Sequence, residues 1–227
     1  MPGDSETIAA ALVAAGVDAT LAAGLAAYGA LLLETNAKVN LTGAKDAAAL
    51  VPHLLDALTL AADVSESLVD VGSGGGLPGI PLAIATGARV LLIEPIAKKA
   101  AFLERALAEL GLAGTVLAQR AEIVARDEHY REQFVFATAR AVSSAPTVAE
   151  LTVPFLRIGG RALLQRGAIE SAERQALDDA APMLGAILTE ERMLEGDRRV
   201  FVLTKTVATG PRFPRRNGVP EKRPLCM

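Results

Sequence analysis

The stretch from Ser67 to Gly79, SLVDVGSGGGLPG, narrows what this 227-residue chain can fold into more than any other. An apolar run of strand length opens onto five glycines within residues 72–79. Gly72, Gly74 and Gly76 remove Cβ atoms where a backbone must turn tightly and approach a ligand. The loop should leave a strand and open a helix, and in open α/β sheets ligands lie beyond the carboxyl ends of the strands. A second apolar run, RVLLIE (89–94), ends in Glu94, 22 residues after Gly72. A carboxylate there can accept both hydroxyls of a ribose, so loop and acid together predict a nucleoside-binding site.

Which nucleoside stays open on spacing alone. Gly72, Gly74 and Gly76 have the tight spacing common in S-adenosylmethionine (AdoMet) sites, whereas Gly74, Gly76 and Gly79 satisfy the dinucleotide pattern GxGxxG. A glycine-rich turn without a ligand is the bland alternative. No GxxxxGK[ST], HExxH or GxSxG occurs, which argues against a P-loop nucleotidase, a zinc protease and a serine hydrolase.

Strand and helix signals continue to alternate. AFLERALAELG (101–111) reads as a helix stopped by Gly111. GTVLA (114–118), FVFATA (134–139) and RALLQ (161–165) read as strands. Residues 186–193 and 198–205, across the turn Glu195-Gly196-Asp197, read as a closing antiparallel hairpin. The fold class expected is α/β: a Rossmann-like, mostly parallel seven-stranded sheet with an antiparallel closing strand, preceded by N-terminal helices. The expected organisation is a helical extension (1–62), a core (63–206) and a tail (207–227). Residues 7–33 carry Asp18 as their only charge and are long enough to span a bilayer. Their Ala and Gly content, the break at Gly16 and the lack of close Lys or Arg flanks favour two buried helices, with Asp18 as an N-cap. Residues 36–42 break helicity, and Pro52 should sit in the first turn of the next helix or mark its start.

Half the residues are apolar (51%), enough for a sizeable core. The single cysteine, Cys226, excludes a disulfide framework and a Cys-based zinc site. The acidic start MPGDSE does not read as a secretory signal, so a cytoplasmic protein is expected. Residues 205–227 carry six basic side chains against Glu221, a net of +5, on a remainder of 17 basic and 25 acidic residues, −8. The Pro-rich basic tail is a solvated end or an arm for anions, and its sign suits a phosphate backbone. Of the two histidines, His129 lies in a charged run that reads as a solvated face. His53 and Asp56 share a helix face at i and i+3, as a structural hydrogen bond or a dyad.

These residues, taken in order, resemble a known family. Asn40-Leu41-Thr42, His53-Leu54-Leu55-Asp56, the loop extended to DVGSGGGLPGIPL (70–82), Lys98-Lys99 followed by Phe102-Leu103, Arg120-Ala121-Glu122, Ala139-Arg140-Ala141 and the basic C-terminus are similar to the RsmG (GidB) family over roughly residues 30–225. These are bacterial methyltransferases of small-subunit ribosomal RNA. The resemblance implies AdoMet-dependent transfer of a methyl group to N7 of a guanine in the decoding-region loop of 16S rRNA. It implies that Gly72, Gly74, Gly76 and Leu77 touch the cofactor and that Glu94, where the family often has Asp, holds the ribose. Ala121 and Glu122 would lie by the adenine. Arg140 matches a cofactor-contacting arginine near the entry of the target base and is the one candidate for a catalytic role. Asn40, His53, Asp56, Arg166, Arg212, Arg215, Arg216, Lys222 and Arg223 are the expected substrate contacts, with Lys98, Lys99 and Arg105 as further basic surface. Departures are Thr35 in place of a Trp, Pro52 in place of an Arg, and Arg166-Gly167 in place of Lys-Gly.

Guanine N7 has an in-plane lone pair and no proton, so the reaction implied needs no general base. In-line positioning of reactants is worth up to ~7–11 kcal/mol. The base must leave its stack to be reached. No metal is expected, no membrane partner, and nothing demands more than a monomer. Two alternatives remain from the sequence: an NAD(P)-dependent oxidoreductase on the same fold, and an AdoMet methyltransferase with a non-RNA substrate. A non-enzymatic RNA-associated module is disfavoured by the intact loop and Glu94.

Overall fold

The computed structural model describes residues 3–140 and 143–227. Ala141, which closes the Ala139-Arg140-Ala141 motif, lies outside the described residues. Seven strands form one sheet in the order β3-β2-β1-β4-β5-β7-β6. They are β1 (Ser67–Val71), β2 (Arg89–Ile93), β3 (Gly114–Leu117), β4 (Phe134–Arg140), β5 (Leu156–Arg166), β6 (Ala186–Met193) and β7 (Arg199–Lys205). The pairs β2–β3, β1–β4 and β4–β5 are parallel, and β7 runs antiparallel to both β5 and β6. The doubly wound sheet and its closing hairpin are therefore as the alternation implied.

The chain divides into two compact units, residues 1–66 with 73–118 and residues 67–72 with 119–227. In the first unit the helices are α1 (Asp4–Ala14), α2 (Ala19–Asn36), α3 (Ala47–Leu58), α4 (Gly79–Thr86) and α5 (Ala97–Glu109). Asp18 accepts the Thr20 and Leu21 amides (2.9 and 3.1 Å) and so caps α2 as expected. Ala22, Leu25, Ala26, Gly29, Leu32 and Leu33 recur at helical spacing and form the buried face of α2. A Cβ on Gly29 would stand 2.8 Å from Ile8 of α1 and 3.2 Å from Leu50 of α3, so the three helices cross too closely for a larger residue. The Ala-rich stretch 7–33 is thus a packed helix pair, and no described helix is long and apolar enough to cross a membrane.

Two expectations shift. Pro52 is the sixth residue of α3 rather than a first-turn proline, because Asp46 caps the helix one turn earlier by accepting the Ala49 amide (2.8 Å). Helix α5 begins at Ala97, four residues before the apolar pattern, so Lys98 and Lys99 lie in its first turn.

The second unit contains α6 (Ala121–Val124), α7 (Ala145–Thr152), α8 (Ser171–Met183) and α9 (Val219–Lys222). Here β5 starts five residues before the predicted strand. Arg157, Gly159 and Gly160 hid its first half, and the register against β4 shifts between Phe134 and Phe136. Tail residues Phe213, Pro214, Pro220 and Leu225 are buried.

Candidate active site

In the first unit the glycine loop is held from three sides. Ser73 donates its amide to Ile93 at the end of β2 (3.1 Å), Gly76 donates to Ser73 (2.6 Å), and Ile80 donates to Gly76 (2.7 Å), which leads into α4. Gly76 has φ +93°, a region that L side chains rarely adopt, and a Cβ there would stand 2.6 Å from Ile80. Gly75 is excluded from larger residues by packing: its Cβ would meet the Leu41 carbonyl at 2.9 Å. Its own carbonyl accepts the buried Tyr28 hydroxyl at 2.6 Å.

Glu94 is 4% exposed. One carboxylate oxygen accepts the Gly74 amide and the other the Ile96 amide, both at 2.9 Å. Those two bonds fix the plane of the carboxylate and tie it to the loop. Each oxygen keeps acceptor capacity, which is what a vicinal diol requires. Leu77 is buried at the end of the loop.

Elsewhere in this unit, Asn40 is exposed, and His53 and Asp56 are half-buried on α3. Lys98 is exposed and Lys99 half-buried. Arg105, expected as basic surface, bonds Glu109 (2.6 Å) and Glu34 (3.4 Å).

The second unit carries the remaining candidates. Gly72 follows β1 with φ +71°. Ala121 and Glu122 open α6, both buried. The Glu122 carboxylate accepts the Gly218 amide from the tail at 2.8 Å. Arg140 ends β4 and is half-buried. Arg166 ends β5, where it bonds the Ser143 carbonyl and Glu173 (2.9 Å). Glu173 also accepts the Ala145 amide (2.7 Å), the first amide of α7. Arg166 therefore braces the start of α7.

The basic arm is docked along its length. Glu150 of α7, fully buried, receives the Arg215 amide and its guanidinium in four hydrogen bonds of 2.6–3.0 Å. Arg131 donates to the carbonyls of Ala125, Thr209, Gly210 and Phe213. Arg126 donates to Pro214 and Arg212. Arg212 stacks over the Phe213 ring at 4.8 Å. Arg212, Arg216, Lys222 and Arg223 are exposed, whereas Arg215 is half-buried and paired with Glu150.

A buried cation lies beneath the tail. Lys205, 1% exposed, bonds Val153 and Thr209 and stands 3.1 Å from Glu132. Burial holds its pKa below the ordinary lysine value, against the opposing pull of Glu132. His129 is exposed and bonded to Asp127 at 2.9 Å, which raises its pKa; it is the solvated face expected of it. Among the described residues no three His, Cys, Asp or Glu side chains cluster to hold a metal.

Sequence reasoning missed Tyr28, Glu132, Glu150 and Glu173. Each has a partner at least 28 positions away, beyond any local pattern, although Glu173 also bonds Arg166 seven positions before it. The only available signal was composition: Tyr28 is one of two tyrosines in the chain.

Residues 22–202 match the family model described as rRNA small subunit methyltransferase G. The ribosomal RNA small subunit methyltransferase G of Rubrobacter xylanophilus is 42% identical over 211 residues, covering 86% of this chain and 81% of that one. The protein of the same name from a Roseiflexus species is 40% identical over 210 residues, covering 88% and 90%. Among solved structures, a SAM-dependent O-methyltransferase from Thermotoga maritima superposes with a TM-score of 0.55 at 18% identity, covering 79% of this chain and 72% of that one. MtNAS bound to S-adenosylmethionine superposes at 0.54, also at 18% identity, covering 78% and 72%. At these identities the structural matches show a shared fold and no more. The sequence matches favour methyl transfer over nicotinamide-dependent oxidoreduction. A family model matching most of the chain and relatives of one description over most of its length converge on one assignment: the chain belongs to the rRNA small subunit methyltransferase G family.

Proposed function

We propose that this chain transfers the methyl group of AdoMet to N7 of a guanine in the decoding-region loop of 16S rRNA. The observation that carries the reading is the Glu94 carboxylate, bound through both oxygens to the Gly74 and Ile96 amides, beside a glycine loop in which Gly72 and Gly74 are half-buried. AdoMet bound there supplies an electrophilic sulfonium methyl. Glu94 would hold the ribose hydroxyls. Gly72, Gly74, Gly76 and Leu77 would let the cofactor lie against main chain. Ala121 would offer an apolar surface to the adenine. Glu122, engaged by Gly218, would shape that pocket rather than donate charge to it. Arg140 would receive the target base or brace the cofactor carboxylate.

No residue need remove a proton, because N7 carries none. The work of the protein is to hold nucleophile and methyl in line and to exclude water. Exposed Arg212, Arg216, Lys222 and Arg223 would meet phosphates, with Arg suited to bidentate contact. We further propose that the enzyme is a cytoplasmic monomer.

The test is mass-spectrometric mapping of 16S rRNA from cells with and without the protein, and of small subunits incubated with purified protein and AdoMet. A 7-methylguanosine in the decoding-region loop that depends on the protein is expected. Methylation at another atom, or none, would refute the assignment.

A further inference from the structure

The first unit is acidic: residues 1–66 and 73–118 carry six Lys and Arg against eleven Asp and Glu. Its surface nevertheless holds a cationic groove of about 530 Å³, bordered by Asn36, Lys38, Asn40, Thr42, Gly43 and Lys45. Neither Lys38 nor Lys45 makes an ion pair among the described residues, and both are exposed. Adjacent Asp46 caps α3 by accepting the Ala49 amide. Glu34, the other acid near the end of α2, is paired with Arg105.

The groove is built, not merely charged. All four hydrogen-bonding positions of the Asn36 side chain are used to fold residues 41–44 over the end of α2. Its amide nitrogen donates to Thr42 and Ala44 (3.0 Å each), and its oxygen accepts from Leu41 and Thr42 (2.8 and 3.0 Å). Thr42 accepts the Ala44 amide in turn. The segment is therefore rigid, which spares a ligand the cost of ordering it. Gly43 has no positive φ, and a Cβ added to it would meet nothing within 4 Å. Neither backbone strain nor internal packing requires a glycine there, while an approaching ligand would gain access to bare main chain. The Asn40 amide is exposed and offers both a donor and an acceptor.

Resting on the RNA-methylation reading above, we propose that this groove is a second RNA-contacting surface of the enzyme. It takes a single-stranded segment of the rRNA substrate, with phosphates on Lys38 and Lys45 and a base edge at Asn40. Two unpaired ammonium groups suit phosphates, and an amide suits the exposed edge of an unstacked base. The contact is separate in sequence from the C-terminal arm.

The experiment measures affinity for a 16S rRNA fragment containing the decoding-region loop across a salt series. Wild type is compared with the double variant K38Q/K45Q and with G43V. The double variant should bind more weakly, and its salt slope should fall by about 1.4, roughly 0.7 per phosphate lost on a single strand. AdoMet affinity by calorimetry and the melting temperature should stay at wild-type values. G43V fills the groove without altering charge, so it should weaken RNA binding and leave the slope unchanged. If the double variant keeps wild-type affinity and slope while the wild type binds and methylates RNA, the groove proposal alone is overturned. If wild type neither binds nor methylates RNA, the proposal and the function it rests on fall together.

Discussion

A carboxylate with each oxygen already accepting a backbone amide can still hold a diol, since each oxygen has more than one acceptor position. That is the situation of Glu94. Replacing it by Gln turns one of the two contacts into an N–H facing an N–H. Charge-assisted hydrogen bonds contribute about 1.5–3 kcal/mol, so Glu94→Gln should weaken AdoMet binding roughly 10- to 100-fold, measured by calorimetry. A change under twofold would remove Glu94 from the site. Glu132 and Lys205 give a residue-scale prediction about pH. Burial would raise Glu132, but the Thr209 amide, Lys205 and Arg131 hold it below its ordinary value. A lowered carboxylate contributes stability above its unfolded pKa, and that stability is lost as pH falls through the folded pKa. Lys205 is lowered, so between its folded and unfolded values the unfolded chain binds more protons and stability rises with pH. Glu132→Gln removes the group that holds Lys205 up, so that rise should begin at lower pH. Urea midpoints should show a loss of about 1.5–3 kcal/mol at neutral pH, with part recovered in alkali. An equal loss at both would contradict a charged Lys205 as the affected partner. Glu94 was legible because its place at a strand end follows from the sheet. Glu132 was not, because its partners lie 73 and 77 residues on.

At the scale of elements, the C-terminal tail departs furthest from its sequence signal. Its charge and prolines read as a free arm, and the exposed Arg216, Lys222 and Arg223 keep that character. Phe213 and Pro214 are buried, and Arg215 is bonded to the fully buried Glu150 carboxylate. Arg215→Ala would leave Glu150 charged and buried, a loss of about 3–5 kcal/mol, reduced toward the lower end because the Arg215 side chain is 25% exposed. Arg216→Ala should change stability by less than about 0.5 kcal/mol while lowering the salt dependence of RNA binding. Chemical denaturation and RNA titration of the two variants separate the roles; a reversed pattern would make Arg215 the RNA contact. Strands β1, β2, β4 and β7 were legible as continuous apolar runs. The first half of β5 was not, because Arg157 and two glycines break the run, and the Pro52 position failed because Asp46 outcompeted proline as the start of α3.

For the whole molecule, the loop and Glu94 make a thermodynamic claim. A ligand bound only by the folded chain stabilises it by mass action, about 2.7 kcal/mol at one hundred times its dissociation constant. For a chain of this length each kcal/mol moves the melting temperature by about 2–4 °C. AdoMet at that excess should therefore raise the melting temperature by roughly 5–10 °C. Gly74→Asp tests where that energy enters. Gly74 has φ +56°, which Asp tolerates better than most residues, so the fold should survive. Its amide bonds Glu94, so the new carboxylate stands beside an existing one, in the path of the ribose. The variant should melt near the wild-type apo temperature and show no shift with AdoMet. A full shift would mean that the methyl donor binds elsewhere in the chain, and the glycine loop would then serve only the turn from β1 into α4.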